Sequence, residues 1–196
     1  MESAICKSSF IDAFEKTMIN EGGYVNDMDD AGGETYKGIS RKFNPDWYGW
    51  EIIDFHRYDP YFPKSLDDSL RLKNEVASFF KDKYWNINCL DEFSQEVAEE
   101  MFDTGVNLGV LRAAKFLQRS LNYLNRNGEL FDELEVDGKI GKKTLSALNS
   151  LSEKGGDEKV LVKMLNTLQG QHYMDYMDGN SKQKKYARGW FKRVTV

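Results

Sequence analysis

Apolar and polar positions along the chain alternate mostly with a helical period, interrupted by one stretch that cannot be helical. Phe10, Ala13, Phe14, Thr17 and Met18 recur at three- and four-residue steps behind Ser8 and Ser9, either of which can cap. This predicts a first helix that Gly22 and Gly23 stop. Over 24–38 the composition shifts to Asp, Asn, Gly and Thr, which suits a turn-rich loop or a small hairpin. Further helices are predicted over 65–84, where Leu66, Leu70, Leu72, Val76, Phe79 and Phe80 supply the apolar side, and over 94–104, 142–151 and 160–176. The clearest is 110–125, with Leu111, Ala114, Leu117, Leu121 and Leu124 in one stripe. No set of alternating segments is large enough for a sheet beyond the hairpin, so the fold class is mainly α. The chain is expected to form one compact unit of two lobes, 1–90 and 91–196, with the boundary near 88–91.

Seven aromatic residues, Trp47, Tyr48, Trp50, Phe55, Tyr58, Tyr61 and Phe62, crowd around Pro45, Pro60 and Pro63. The prolines break regular structure, and most of these rings read as core because aromatic side chains carry large burial energies.

Composition narrows the function classes. With 40% hydrophobic and 30% charged residues the chain is globular, and a formal net charge of -5 argues against a nucleic-acid partner, whose phosphates need a basic surface. Charge is nevertheless uneven: 181–196 carries Lys182, Lys184, Lys185, Arg188, Lys192 and Arg193 and no acid, interleaved with Tyr186, Trp190 and Phe191. A solvated face of a C-terminal helix is the first reading of it, and a patch for an anionic polymer the second. Cys6 and Cys89 have neither metal-site nor disulfide-scaffold spacing and read as buried thiols; His56 and His172 have no ligand-spaced neighbours, so no metal site is expected. No apolar run reaches the roughly 18 residues of a membrane span, and positions 1–10 lack the basic and apolar regions of an export signal.

The candidate chemistry lies where the first helix stops. Glu21 falls at a helix C-terminus, whose partial negative charge disfavours ionising a carboxylate and raises its pKa, as a general acid near neutrality requires. Eight residues separate Glu21 from Asp30 and four separate Asp30 from Thr35. A glycine-rich loop of that length can return a second carboxylate and a hydroxyl to face the first, which is the minimal equipment for cleaving a glycosidic bond. Thr35 would hold the attacking water. A calcium loop is the competing reading, but Ala31 and Gly38 stand where the fifth and twelfth ligands belong. An amide beside a glycine break, Asn107, could donate to a sugar or serve a purely structural hydrogen bond.

At Glu21-Gly22-Gly23-Tyr24, followed by Asp30, Gly32-Gly33, Thr35 and Gly38-Ile39-Ser40, the sequence resembles the glycoside hydrolase family 108 lysozymes, known also as secretion activator proteins and frequent among phage endolysins. Many of these have proline at Met28 or Ala31. The resemblance implies a lysozyme-like fold and Glu21 as the catalytic acid. The Glu, Asp, Thr order also resembles the triad of phage-type lysozymes, whose second spacing is one residue longer, so that Asp29 competes with Asp30. Across Phe102-Asp103-Thr104-Gly105-Val106-Asn107-Leu108-Gly109, Leu117-Gln118 and 136–145 the chain looks like that family's predicted peptidoglycan-binding region. The implied activity is an N-acetylmuramidase acting on peptidoglycan glycan strands, in the periplasm or outside the cell, without cofactor. Catalytic Glu21, Asp30 and Thr35 and sugar-binding Tyr24, Tyr36 and Asn107 are the expected site. A wall-binding or secretion-related protein with decayed activity and a lytic transglycosylase are the alternatives.

Overall fold

The computed structural model describes residues 8–18, 22–26, 33–155 and 158–195. It is mainly α with one small sheet, as the periodicity implies, and separates into two compact units, Phe14–Lys83 and Met1–Ala13 with Tyr84–Val196. The division falls inside the first helix, α1 (Phe10–Met18).

In the unit Phe14–Lys83, strands β1 (Tyr24–Asn26), β2 (Glu34–Tyr36) and β3 (Ile39–Ser40) form an antiparallel sheet in sequence order. Tyr24 pairs with Tyr36, Asn26 with Glu34 and Tyr36 with Ile39. The β2–β3 turn is two residues long, and both have positive φ: 48° at Lys37 and 79° at Gly38. That geometry matches the right-handed twist of the flanking strands, and glycine at the second position relieves half its strain. Helices α2 (Gly49–His56) and α3 (Leu70–Phe80) follow. The stretch 65–84 is not one helix: a 3-10 turn covers Lys64–Asp68, and Ser69, in an extended conformation, caps α3 by accepting from the Leu72 N–H at 3.3 Å. Leu66 is thereby fully buried while Leu70 is 71% exposed. The core collects Tyr36, Ile39, Trp50, Ile53, Leu72, Val76 and Phe80, with Phe14 against Phe80 at 5.8 Å.

The aromatic run 47–62 departs from expectation. Trp50 is buried and donates its indole N–H to the Asn44 carbonyl at 2.8 Å, but Phe55, Tyr58 and Tyr61 are 78%, 92% and 77% exposed. Helix α2 is only eight residues long; one face takes up Trp50, Ile52 and Ile53, which leaves Phe55 outside the buried set and Tyr58 and Tyr61 past the helix end.

In the other unit, α4 (Gln95–Leu108) and α5 (Val110–Leu124) meet at Gly109, whose φ of 92° ends one helix and opens the next. α6 (Lys142–Ser150), α7 (Glu158–Gly179) and α8 (Ala187–Trp190) complete it. Phe10, Trp85 and Phe102 pack edge to face at 5.5–5.8 Å around the core, where Ala114, Leu117, Leu121, Leu161 and Leu165 are buried. Leu111, the first residue of the expected α5 stripe, is 55% exposed. Cys89 is half-buried with φ 52°; Cys6 lies outside the described residues. No described helix is long and apolar enough to cross a membrane.

Candidate functional site

Of the expected catalytic residues, Glu21, Asp30 and the competing Asp29 lie outside the described residues, and Thr35 is placed by β2. The sheet register shows what surrounds Thr35. Successive strand residues point to opposite faces, so Tyr24, Asn26, Glu34, Tyr36 and Ile39 share one face and Val25, Thr35 and Ser40 the other. The first face is the packed one: Tyr36 and Ile39 are 2% and 1% exposed. Thr35 therefore stands on the open face, between Val25 and Ser40.

The expectation that Tyr36 meets the sugar does not fit a ring so deeply buried. Burial, reinforced by the Asp67 carboxylate, pushes its hydroxyl up to about 12, which keeps it a neutral phenol in the core. Tyr24 is half-buried beside Phe62 at 4.9 Å, with the Arg57 guanidinium 5.7 Å from its ring centroid. Its pKa is raised, first by burial and next by the Glu34 carboxylate.

Beneath the packed face is an ionic cluster that composition alone does not reveal. Arg41, following β3, forks onto Asp54 of α2, with Nη1 2.8 Å from Oδ1 and Nη2 2.5 Å from Oδ2, while Nη1 also reaches Glu34 Oε2 at 3.1 Å. Arg57 closes the square, its Nε donating to Asp54 Oδ1 at 3.0 Å and its Nη2 to Glu34 Oε1. Arg41 also lies 5.3 Å from the Trp50 ring centroid. The two guanidinium groups hold the Asp54 carboxyl down at about 2, the Arg41 fork being the largest cause. The result is a clamp tying β2, one residue before Thr35, to α2. Its sequence signals are weak: Asp54 and Arg57 are three apart on a helix, and Glu34 and Arg41 flank the hairpin.

Asn107 lies in the other unit, in the last turn of α4. With its amide oriented by its surroundings, its oxygen accepts from Arg193 Nε at 2.7 Å and Nη1 at 3.2 Å. Arg193 Nη1 donates in turn to Asp103 Oδ1 at 2.6 Å, so the amide is engaged in holding the C-terminal segment. The same helix carries a buried acid the sequence reading missed. Glu100 accepts from Asn166 Nδ2 at 2.6 Å and Thr104 Oγ1 at 3.2 Å; burial, with Asp103 nearby, pushes its carboxyl up to about 7.

The string from Val136 to Thr144 forms a turn leading into α6. Gln118 of α5 holds it, donating to Asp137 Oδ1 at 2.8 Å and to the Lys139 carbonyl at 3.1 Å and accepting from the Gly138 N–H at 2.8 Å. Gly138 has φ 80°, and a Cβ there would lie 2.7 Å from Leu111 Cδ1, so the exposed Leu111 covers this turn. These bonds give the Asp137-Gly138 motif and Gln118 a structural role.

The description Glycosyl hydrolase 108 matches residues 14–109, and Predicted Peptidoglycan domain matches 112–195. Among solved structures the chain is similar to that described as the structure of Brucella abortus SagA, at 23% identity and a TM-score of 0.57, over 94% of this chain and 88% of that one. That likeness speaks to the fold. No protein with a curated description matches. With one family model following the other along nearly the whole described chain, the protein belongs to the glycosyl hydrolase 108 family and is a glycoside hydrolase directed to peptidoglycan.

Proposed function

We propose that the protein is an N-acetylmuramidase that cleaves the β-1,4 bond between N-acetylmuramic acid and N-acetylglucosamine. In this reading Glu21 protonates the departing glycosidic oxygen, and Asp30, or Asp29 in its place, stabilises the oxocarbenium-like charge or activates the water that Thr35 holds. The observation that carries the reading is the hairpin register. Asn26 and Glu34 are paired neighbours, so the two ends of the acidic segment between them are pinned together, and Thr35 follows on the open face of the sheet. Tyr36 and the Arg41–Asp54 clamp hold β2 from behind.

Purified peptidoglycan tests this directly. Glu21→Gln is expected to abolish release of reducing ends while wall binding and the melting temperature stay at wild-type values, and full activity in that variant would sink the assignment. Mass spectrometry of the wild-type products is expected to show reducing N-acetylmuramic acid ends; anhydro ends would identify a transglycosylase instead.

A further inference from the structure

We infer that the C-terminal segment 181–195 is a cationic face that grips the carboxylates of peptidoglycan's stem peptides. All six basic residues of 181–196 lie in a stretch without an acid, leaving 21 basic against 32 acidic residues, a formal -11, in the rest of the chain. Arg193 is spent internally on Asp103 and Asn107. The other five, Lys182, Lys184, Lys185, Arg188 and Lys192, are exposed, and none forms an ion pair among the described residues.

The segment is ordered in a way that concentrates this charge. A 3-10 turn over Ser181–Tyr186 runs into α8, and Lys182, Lys185, Arg188 and Lys192 follow at steps of three, three and four, which puts them along one side. Besides Arg193, the Thr195 N–H donates to Asn166 Oδ1 at 2.6 Å, and Phe191 and Val194 lie over Gly170 of α7. A parallel row of rings borders the cations: Trp190 stacks on Tyr173 at 5.3 Å and meets Tyr176 and Tyr186 at 5.9 and 6.0 Å, the latter two each 48% exposed.

Like charges at these spacings repel, and an ordinary solvated face intersperses both signs. Holding four cations along one side, with Lys184 exposed in the same turn, against that repulsion is matched by a partner with repeated negative charge, and the rings offer flat apolar surface beside it. The matched peptidoglycan domain runs through 195, and the stem peptides of that polymer carry free carboxylates at regular intervals along each strand. This rests on the chain being directed to peptidoglycan and not on Glu21 as the acid.

Binding to insoluble peptidoglycan at 4 °C, with wall mass checked for loss, measures this independently of bond cleavage. The fourfold variant Lys182→Gln/Lys184→Gln/Lys185→Gln/Arg188→Gln is expected to bind about tenfold more weakly at low salt, and wild-type binding to fall as salt screens the contact. Wall stripped of its stem peptides by an amidase is expected to bind wild type as weakly as intact wall binds the variant. Should the fourfold variant melt lower than wild type, Lys184→Gln/Lys185→Gln is read in its place, with a drop of severalfold expected. Unchanged binding by the variants, or undiminished wild-type binding to stripped glycan, would overturn the proposal. So would retention of wild type only by walls that still carry phosphate polymers.

Discussion

Arg41 grips Asp54 with both arms of its guanidinium, at 2.8 and 2.5 Å, and through Glu34 the same cation holds the strand that presents Thr35. The fork is rigid and planar, so lysine cannot reproduce it.

Loss of this clamp has a pH signature. The Asp54 carboxyl is depressed from 3.8 to about 2 in the folded chain, so its contribution is complete above about pH 4 and disappears as pH falls towards 2. Its side chain is 42% exposed, so solvent screening limits the effect to about 0.5–1 kcal/mol. Urea unfolding of Asp54→Asn is expected to show that deficit at pH 6 and converge on wild type near pH 2.

Glu100 predicts the opposite slope. Its carboxyl is raised from 4.5 to about 7, so between those values the unfolded chain releases a proton that the folded chain keeps, and stability falls as pH rises through the window. Thermal unfolding from pH 4.5 to 8 is expected to show this decline, worth about 1–3 kcal/mol. Glu100→Gln, which can keep the bond from Asn166, is expected to flatten it and to be the more stable protein at pH 8.

Gly138 is constrained twice, by φ 80° and by Leu111 Cδ1 at 2.7 Å from any Cβ. Gly138→Ala should cost about 1–3 kcal/mol, and pairing it with Leu111→Ala should recover only the steric part. Additive losses in the double variant would show that the two residues do not touch.

Thr35 separates a hydroxyl role from a structural one. Thr35→Val keeps the branched shape that suits a strand and removes only the oxygen. Wall hydrolysis is expected to drop at least about tenfold, within the range for loss of a group that positions a reactant, with melting unchanged. Equal loss of activity and stability would make Thr35 a packing residue.

Local periodicity was enough for the helices at 110–125 and 142–151 and for the hairpin after Gly23, because each depends on side chains and turn residues a few positions apart. It failed where burial depends on a distant surface. Phe55, Tyr58 and Tyr61 have the composition of a core and lie outside it, and Leu70 continues an apolar stripe into solvent because Ser69 restarts the helix. Tyr36 sits in the same motif as Thr35, and only the alternation of the strand sends one inward and the other out.

What the sequence by itself determined is the chemistry available: a glutamate before a pair of glycines, an acidic glycine-rich segment, a threonine beyond it, and the family motifs around them. What only the tertiary structure decided is which polar residues are spent on the fold. Asn107 and Arg193 belong to each other across 86 positions, Glu34, Arg41, Asp54 and Arg57 form one closed square, and Glu100 is buried against Asn166. Apart from Asp54 and Arg57, three residues apart, such pairings bring together residues whose separation along the chain carries no period, so they come into being only when the helices and strands pack and water is removed from between the charges.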